Sequence, residues 1–206
     1  MPARRPLAAL ALAALALALA APAHAFPHVL RRGESLAKIA ERVYGRIENE
    51  KILVAANGLD VGGGVPTAAG QRIELPALQH VRVAAGDTWA TLAEALLGHP
   101  DRQDVLSAAN ESSPWMTPAE GAEIVVPYNL RVIVGPTDTV VSIAQRFMGN
   151  KEKAWILDRY NFLKGHTPKR GDVLLVPLTS LQLTEAGRAE ASAAVAAERT
   201  QAAGGT

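Results

Sequence analysis

One block of residues occurs three times in this chain, and no other feature limits the fold as much. Gly33, Leu36, Ile39, Ala40, Val43, Tyr44, Gly45 and Asn57 coincide, after a shift of 53, with Gly86, Trp89, Leu92, Ala93, Leu96, Leu97, Gly98 and Asn110. A further shift of 51 reaches Thr137, Val140, Ile143, Ala144, Phe147, Met148, Gly149 and Asn161. A period near fifty marks one supersecondary unit used repeatedly, so both architecture and function are to be sought in that unit and in the array.

Each copy opens with a short β-like run, at Val29-Leu30-Arg31, Val81-Arg82-Val83 and Val132-Ile133-Val134. A polar turn follows, and its Ser35, Thr88 or Thr139 stands just before an apolar stripe, where a short oxygen-bearing side chain caps free helix N–H groups. Leu36, Ile39, Ala40, Val43 and Tyr44 fall on one face of a 3.6-residue period, and the other copies keep the pattern. Gly45, Gly98 and Gly149 end these helices where a left-handed residue is wanted. A second short helix runs into Asn57, Asn110 and Asn161, which the residues present as helix caps with direct ligand contact as the alternative. Each copy closes on a glycine (Gly70, Gly121, Gly171) and an apolar strand reaching Pro76, Pro127 or Pro177. The interval from asparagine to glycine shrinks from 13 to 11 to 10 positions. Length variation confined to one interval marks a surface loop.

The expected fold is therefore α+β: three tandem βααβ modules at 28–76, 80–127 and 130–177, each a two-stranded antiparallel sheet with two helices on one face. Very short connections, Ala77 to Gln79 and Tyr128-Asn129, require neighbouring modules to lie close. Residues 178–206 are alanine-rich and read as a frayed helix or tether.

Residues 1–25 read as a secretory signal peptide. Arg4-Arg5 precedes an apolar run from Leu7 to Ala21, followed by the small-x-small site Ala23-His24-Ala25. An uncleaved anchor is the alternative, but fifteen helical residues reach about 22 Å against a hydrocarbon core of about 30 Å. Loss of Arg4 and Arg5 would move the formal charge from +1 to −1. The expected product is exported to the periplasm or cell exterior, without stable membrane insertion and without disulfides, since cysteine is absent. Near-neutral charge with no basic cluster argues against a nucleic-acid partner.

The order and spacing of Gly86-Asp87-Thr88-Trp89, Tyr44-Gly45, Ala55-Ala56-Asn57-Gly58-Leu59 and Gly70-Gln71-Arg72-Ile73-Glu74-Leu75-Pro76 resemble the lysin motif (LysM), a βααβ module that binds N-acetylglucosamine glycans. The resemblance covers residues 28–177. It implies a shallow groove between the turn after the first strand and the loop after the second helix, with peptidoglycan or another N-acetylglucosamine polymer as partner. Carried over by position, the groove residues are Gly33, Glu34, Ser35, Leu36, Asn57, Gly58 and Leu59 in the first copy. In the second they are Gly86, Asp87, Thr88, Trp89, Asn110 and Glu111. In the third they are Thr137, Asp138, Thr139, Val140, Asn161, Phe162 and Leu163. Thr137 replaces the turn glycine and follows Pro136, so the first copy ranks as the leading binder and the third as a packing unit.

No cofactor or metal is expected, because thiolate sites need cysteine and the histidines His28, His80, His99 and His166 lack ligand spacing. These histidines read as surface or strand-edge residues. No facing pair of carboxylates suggests glycoside hydrolysis. The chain is thus expected to be a non-enzymatic glycan-binding protein of the cell wall. The alternative is an envelope scaffold, engaging a protein partner through modules that no longer bind sugar. Trp89 reads as core. Trp155 stands at a repeat position that is otherwise polar, Lys51 and Asp104, and reads as a contact between modules or with another protein.

Overall fold

A computed structural model describes residues 25–59 and 67–203. The signal-peptide expectation covers residues 1–25, of which all but Ala25 lie outside this range. The fold is α+β, with three two-stranded antiparallel sheets and, among the described residues, seven α-helices.

The first unit is β1 (Ala25–Val29), α1 (Leu36–Tyr44), α2 (Glu50–Ala56) and β2 (Arg72–Pro76). The second is β3 (Gln79–Arg82), α3 (Trp89–Leu97), α4 (Gln103–Ala109) and β4 (Glu123–Val126). The third is β5 (Tyr128–Ile133), α5 (Val140–Met148), α6 (Ala154–Tyr160) and β6 (Val173–Leu178). A 3₁₀ turn joins the two helices in every unit. The first strand begins at Ala25, four residues before the expected run at Val29. Ala25 pairs with Pro76, and Phe26 is buried in the core.

The helix caps follow the chemistry of the sequence. Ser35, Thr88 and Thr139 accept from the backbone N–H of Lys38, Thr91 and Ser142. Gly45, Gly98 and Gly149 are left-handed, with φ of 69°, 80° and 72°. The asparagines behave differently. Asn57, Asn110 and Asn161 have φ of −103°, −111° and −101°, and the left-handed position passes to Gly58, Glu111 and Phe162. Each asparagine side chain is instead a brace between the second helix and the last strand. Asn57 Nδ2 donates to the carbonyls of Leu53 and Glu74, both at 2.9 Å, while Oδ1 accepts from Glu74 N–H at 2.8 Å. Asn110 makes the same three bonds to Leu106 and Val125, and Asn161 to Leu157 and Leu175. Both amide protons and one carbonyl lone pair are consumed, which leaves little of the side chain for a ligand.

The units do not sit as beads on a string. One apolar core runs through the first and third units together, because α2 lies against β5 as well as against its own sheet. Its sequence, Glu-Lys-Ile-Leu-Val-Ala-Ala, is apolar on nearly every side after the first turn, as a helix covered on two sides must be. The second unit has its own core around Trp89, Leu92 and Leu106, to which the third contributes Tyr160.

The alanine-rich tail is neither frayed nor a tether. It forms α7 (Glu185–Ala203), packed on α1 and β1. Thr184 anchors its start: its N–H donates to the Val43 carbonyl at 2.9 Å, and its hydroxyl accepts from Gly187 N–H at 3.1 Å. Leu181 is buried just before it.

Docking of α7 also revises the reading of His28 as a surface or strand-edge residue. His28 is only 7% exposed, with Nε2 2.9 Å from Glu34 Oε2 and Nδ1 in contact with Glu190 of α7. Arg42 completes the cluster, 2.7 Å from Glu34 and 3.3 Å from Glu190. Burial alone would push the Glu34 carboxyl up. Hydrogen bonds from Arg42, the Arg31 N–H and His28 outweigh it and hold the group at about 2, against 4.5 for a free side chain. A depressed folded-state value contributes stability that is complete above about 4.5 and lost as pH falls toward 2. With solvent screening at the rim of the cluster, the shift is worth on the order of 1–2 kcal/mol. Denaturant melts of the native protein should therefore weaken between pH 5 and pH 2 by roughly this amount. Glu34→Gln should be less stable at neutral pH and show a flatter profile; a variant with the native slope would remove Glu34 as its source.

Candidate functional site

In every unit the corner between the first strand and first helix is built the same way. Glu34, Asp87 and Asp138 turn their carboxylates inward onto the backbone N–H three residues earlier, at Arg31 (2.8 Å), Ala84 (2.7 Å) and Gly135 (2.9 Å). Glu34 is further held by Arg42, and Asp138 by Arg146 at 3.0 Å. These acids close the turn. The polar groups left to face a ligand are the backbone amides of the first helical turn, which lack intrahelical acceptors.

Opposite each corner, the second helix ends in a left-handed turn. The N–H groups of Leu59, Ser112 and Leu163 reach back to the carbonyls of Val54, Ser107 and Asp158. In the first unit Gly33 and Gly58 are exposed, Ser35 caps α1, and Leu36 is core. Leu59 packs on the core, and the loop beyond it, residues 60–66, lies outside the described range. In the second unit Gly86, Thr88 and Glu111 are exposed. Trp89, 3% exposed, belongs to the core as its helical stripe implied, so it offers a groove its backbone only.

The third unit carries an open, shallow groove at this place. About 360 Å³ lies between Thr139, Val140 and Val141 at the start of α5, Ala154, Trp155 and Asp158 on α6, and Gly165, His166 and Thr167 of the loop to β6. That volume is within the range of small-ligand clefts. Its far wall is pinned from within, because Asp158 Oδ1 accepts from Gly165 N–H at 2.9 Å and His166 Nδ1 lies 2.8 Å from the Leu163 carbonyl. Trp155 is 64% exposed on the rim. An indole held on a helix with one face open to water is a flat apolar platform with a polar edge.

Of the groove residues expected in this copy, Thr139 and Val140 line the cavity. Asn161 is spent on its brace, and Phe162 turns away toward the second unit. The Phe162 ring lies 4.4 Å from that of His99 and 5.5 Å from the Arg102 guanidinium, which also stacks on Tyr160 at 4.6 Å. Trp155, Asp158, Gly165, His166 and Thr167 were not among the expected site residues. Trp155 alone had a visible signal, its departure from the polar residues at the matching repeat positions.

The same alignment places Trp115 where His166 lines the third groove, and Trp115 is 82% exposed on a loop closed by the Met116 N–H bonding to the Ser113 carbonyl at 3.0 Å. Among the described residues, no helix is long and apolar enough to cross a membrane.

No family model matches the chain. Two curated proteins of Mycobacterium tuberculosis, from strains CDC 1551 / Oshkosh and ATCC 25618 / H37Rv and both named esterase, are each 30% identical over 123 residues. That stretch is 60% of this chain and 26% of theirs, so the match spans about a quarter of the relatives' length. Among solved structures, the Bacillus megaterium spore cortex-lytic enzyme SleL is 23% identical over 51% of this chain and 23% of its own, with a TM-score of 0.23. The LYK3 ectodomain is 11% identical over 79% of this chain and 93% of its own, with a TM-score of 0.24. Scores at that level constrain neither the arrangement of the units nor their activity. The expectation of a non-enzymatic protein is corrected on the sequence relatives: the curated proteins that the chain resembles are named as esterases.

Proposed function

We propose that this chain binds an N-acetylglucosamine-containing glycan, peptidoglycan in the first instance, through the groove of the third unit, and that it holds this polymer for an esterase-class reaction in the cell envelope. The single observation carrying the reading is the cavity between the start of α5 and the α6–β6 loop, walled by the exposed indole of Trp155. Free first-turn amides at Val140 and Val141 suit the carbonyl of an acetamido group, and the indole suits the C–H face of a pyranose. The lysin-motif resemblance supports a groove between these two elements, while its departures at Pro136 and Thr137 had ranked the third copy as a packing unit. The esterase link rests on the curated relatives, and export on the targeting segment. The leading site thus moves from the first copy to the third.

Shallow grooves of this kind bind weakly one at a time, so the polymer is the informative probe. The purified protein should co-sediment with isolated sacculi and bind N-acetylglucosamine oligomers, and Trp155→Ala should weaken oligomer binding about ten-fold or more. Trp155 is exposed, so the variant should retain the native circular dichroism spectrum. A folded protein that stays in the supernatant when sacculi are pelleted, or a Trp155→Ala variant with native affinity, would overturn the assignment. Turnover of a p-nitrophenyl acyl ester by the same preparation tests the esterase link directly.

A further inference from the structure

Side chains of helices α4 and α6 meet across the boundary between the second and third units. They present matching repeat positions to each other: Asp104, Val105 and Ala108 on α4, and Trp155, Ile156 and Arg159 on α6. Such mutual presentation is the pattern of an approximate two-fold contact. Its centre is not filled. A crevice of about 80 Å³ remains, lined almost wholly by apolar surface, with Tyr160 at its base. Ala108 stands where the repeat puts Arg159 in the other helix, and its single methyl leaves room beside the indole.

Three features of this crevice point to an occupant. It is about half the size of an engineered cavity of about 150 Å³ that accepts benzene, so it admits an acetyl-sized group but not a sugar ring. Its lip carries the Asp104 carboxylate, bonded at 2.5 Å to Arg159, with a free lone pair to accept an amide N–H. It also shares the Trp155 wall with the groove of the third unit, so whatever leaves the groove across the indole arrives at the crevice.

We propose that the α4–α6 crevice is a second subsite, which takes the acetamido group of the sugar adjoining the one in the third unit's groove. The methyl enters between Val105, Ala108 and Ile156, the ring lies against the shared indole, and the amide N–H meets Asp104. This rests on the glycan-binding reading above. Neither unit alone forms the subsite, so recognition of a disaccharide requires the second and third units together.

The test uses the full chain and three ligands: N-acetylglucosamine, its β-1,4 dimer, and a dimer in which one residue carries a free amine. The wild type should bind the fully acetylated dimer about five- to ten-fold more tightly than the monomer, and the half-deacetylated dimer should lose most of that gain. Ala108→Leu, at an exposed position that accepts a larger side chain, should erase the difference between dimer and monomer. An equal preference for the acetylated dimer in Ala108→Leu would overturn the proposal, as would wild-type indifference to the second acetyl group. Absence of binding to any of the three by folded wild type would instead bring down the glycan reading on which it rests.

Discussion

Asn110→Ala is expected to destabilise the second unit by about 2–4 kcal/mol, more than any surface substitution in the chain. The substitution removes bonds of 2.8 Å to the Leu106 and Val125 carbonyls and of 2.7 Å from the Val125 N–H, all of them partly buried. A lost hydrogen bond costs about 1 kcal/mol when water replaces the partner, and about 1–3 kcal/mol when a buried group is left unpaired. The strand groups of Val125 face the second helix and cannot turn to solvent. Asn110→Asp separates the contributions, because it keeps the acceptor for Val125 N–H but has no N–H to donate to either carbonyl. Chemical denaturation followed through Trp89, which sits in this unit's own core, reads the effect. A loss under about 0.5 kcal/mol in Asn110→Ala would mean that the brace is dispensable.

Gly187→Ala is expected to loosen α7 from the first unit, against the usual helix-stabilising direction of that change. In a solvated helix alanine would gain about 1 kcal/mol over glycine. Here an added Cβ would come within 2.5 Å of the Val43 carbonyl oxygen and 3.2 Å of the next two Val43 backbone atoms. Backbone at that distance cannot step aside as a flexible side chain does, so the helix must retreat, at an overpacking cost of about 1–3 kcal/mol. Retreat would also pull on the Thr184 anchor and on Glu190, which bridges His28 and Arg42. Hydrogen exchange should show amides of residues 185–203 losing protection while α3 and α4 keep theirs. Unchanged protection across α7 would show that the close approach relaxes without consequence.

Legibility differed sharply between levels of structure. The caps were readable because each depends on a single local rule: an oxygen at Ser35, Thr88 or Thr139, and no β-carbon at Gly45, Gly98 or Gly149. Trp89 was readable as core because its stripe is local as well. The asparagines were half readable. Their place at a helix end showed in the sequence, but their bonds run to a strand 14 to 17 residues away, and the left-handed conformation falls on the following residue. For the candidate site, Thr139 and Val140 were found by alignment to a motif, whereas Gly165, His166 and Thr167 come from the loop whose length varies most between copies. Trp155 was singled out for the right reason, as an aromatic at a polar position. It serves as the wall of two adjoining cavities, one of which does lie between units.

The repeat, the α+β class, the order of elements in each unit and the chemistry of the turns follow from the amino-acid sequence, because each rests on interactions spanning a few residues or on periodicity along one element. Which units share a core does not. The merging of the first and third, the docking of α7 on β1 and α1, the burial of His28 between two carboxylates and the crevice between α4 and α6 all join residues far apart in the chain. Such contacts depend on which apolar faces remain uncovered once each unit has formed, and on which partners fit them in shape. Both are properties of assembled surfaces rather than of any local run of residues.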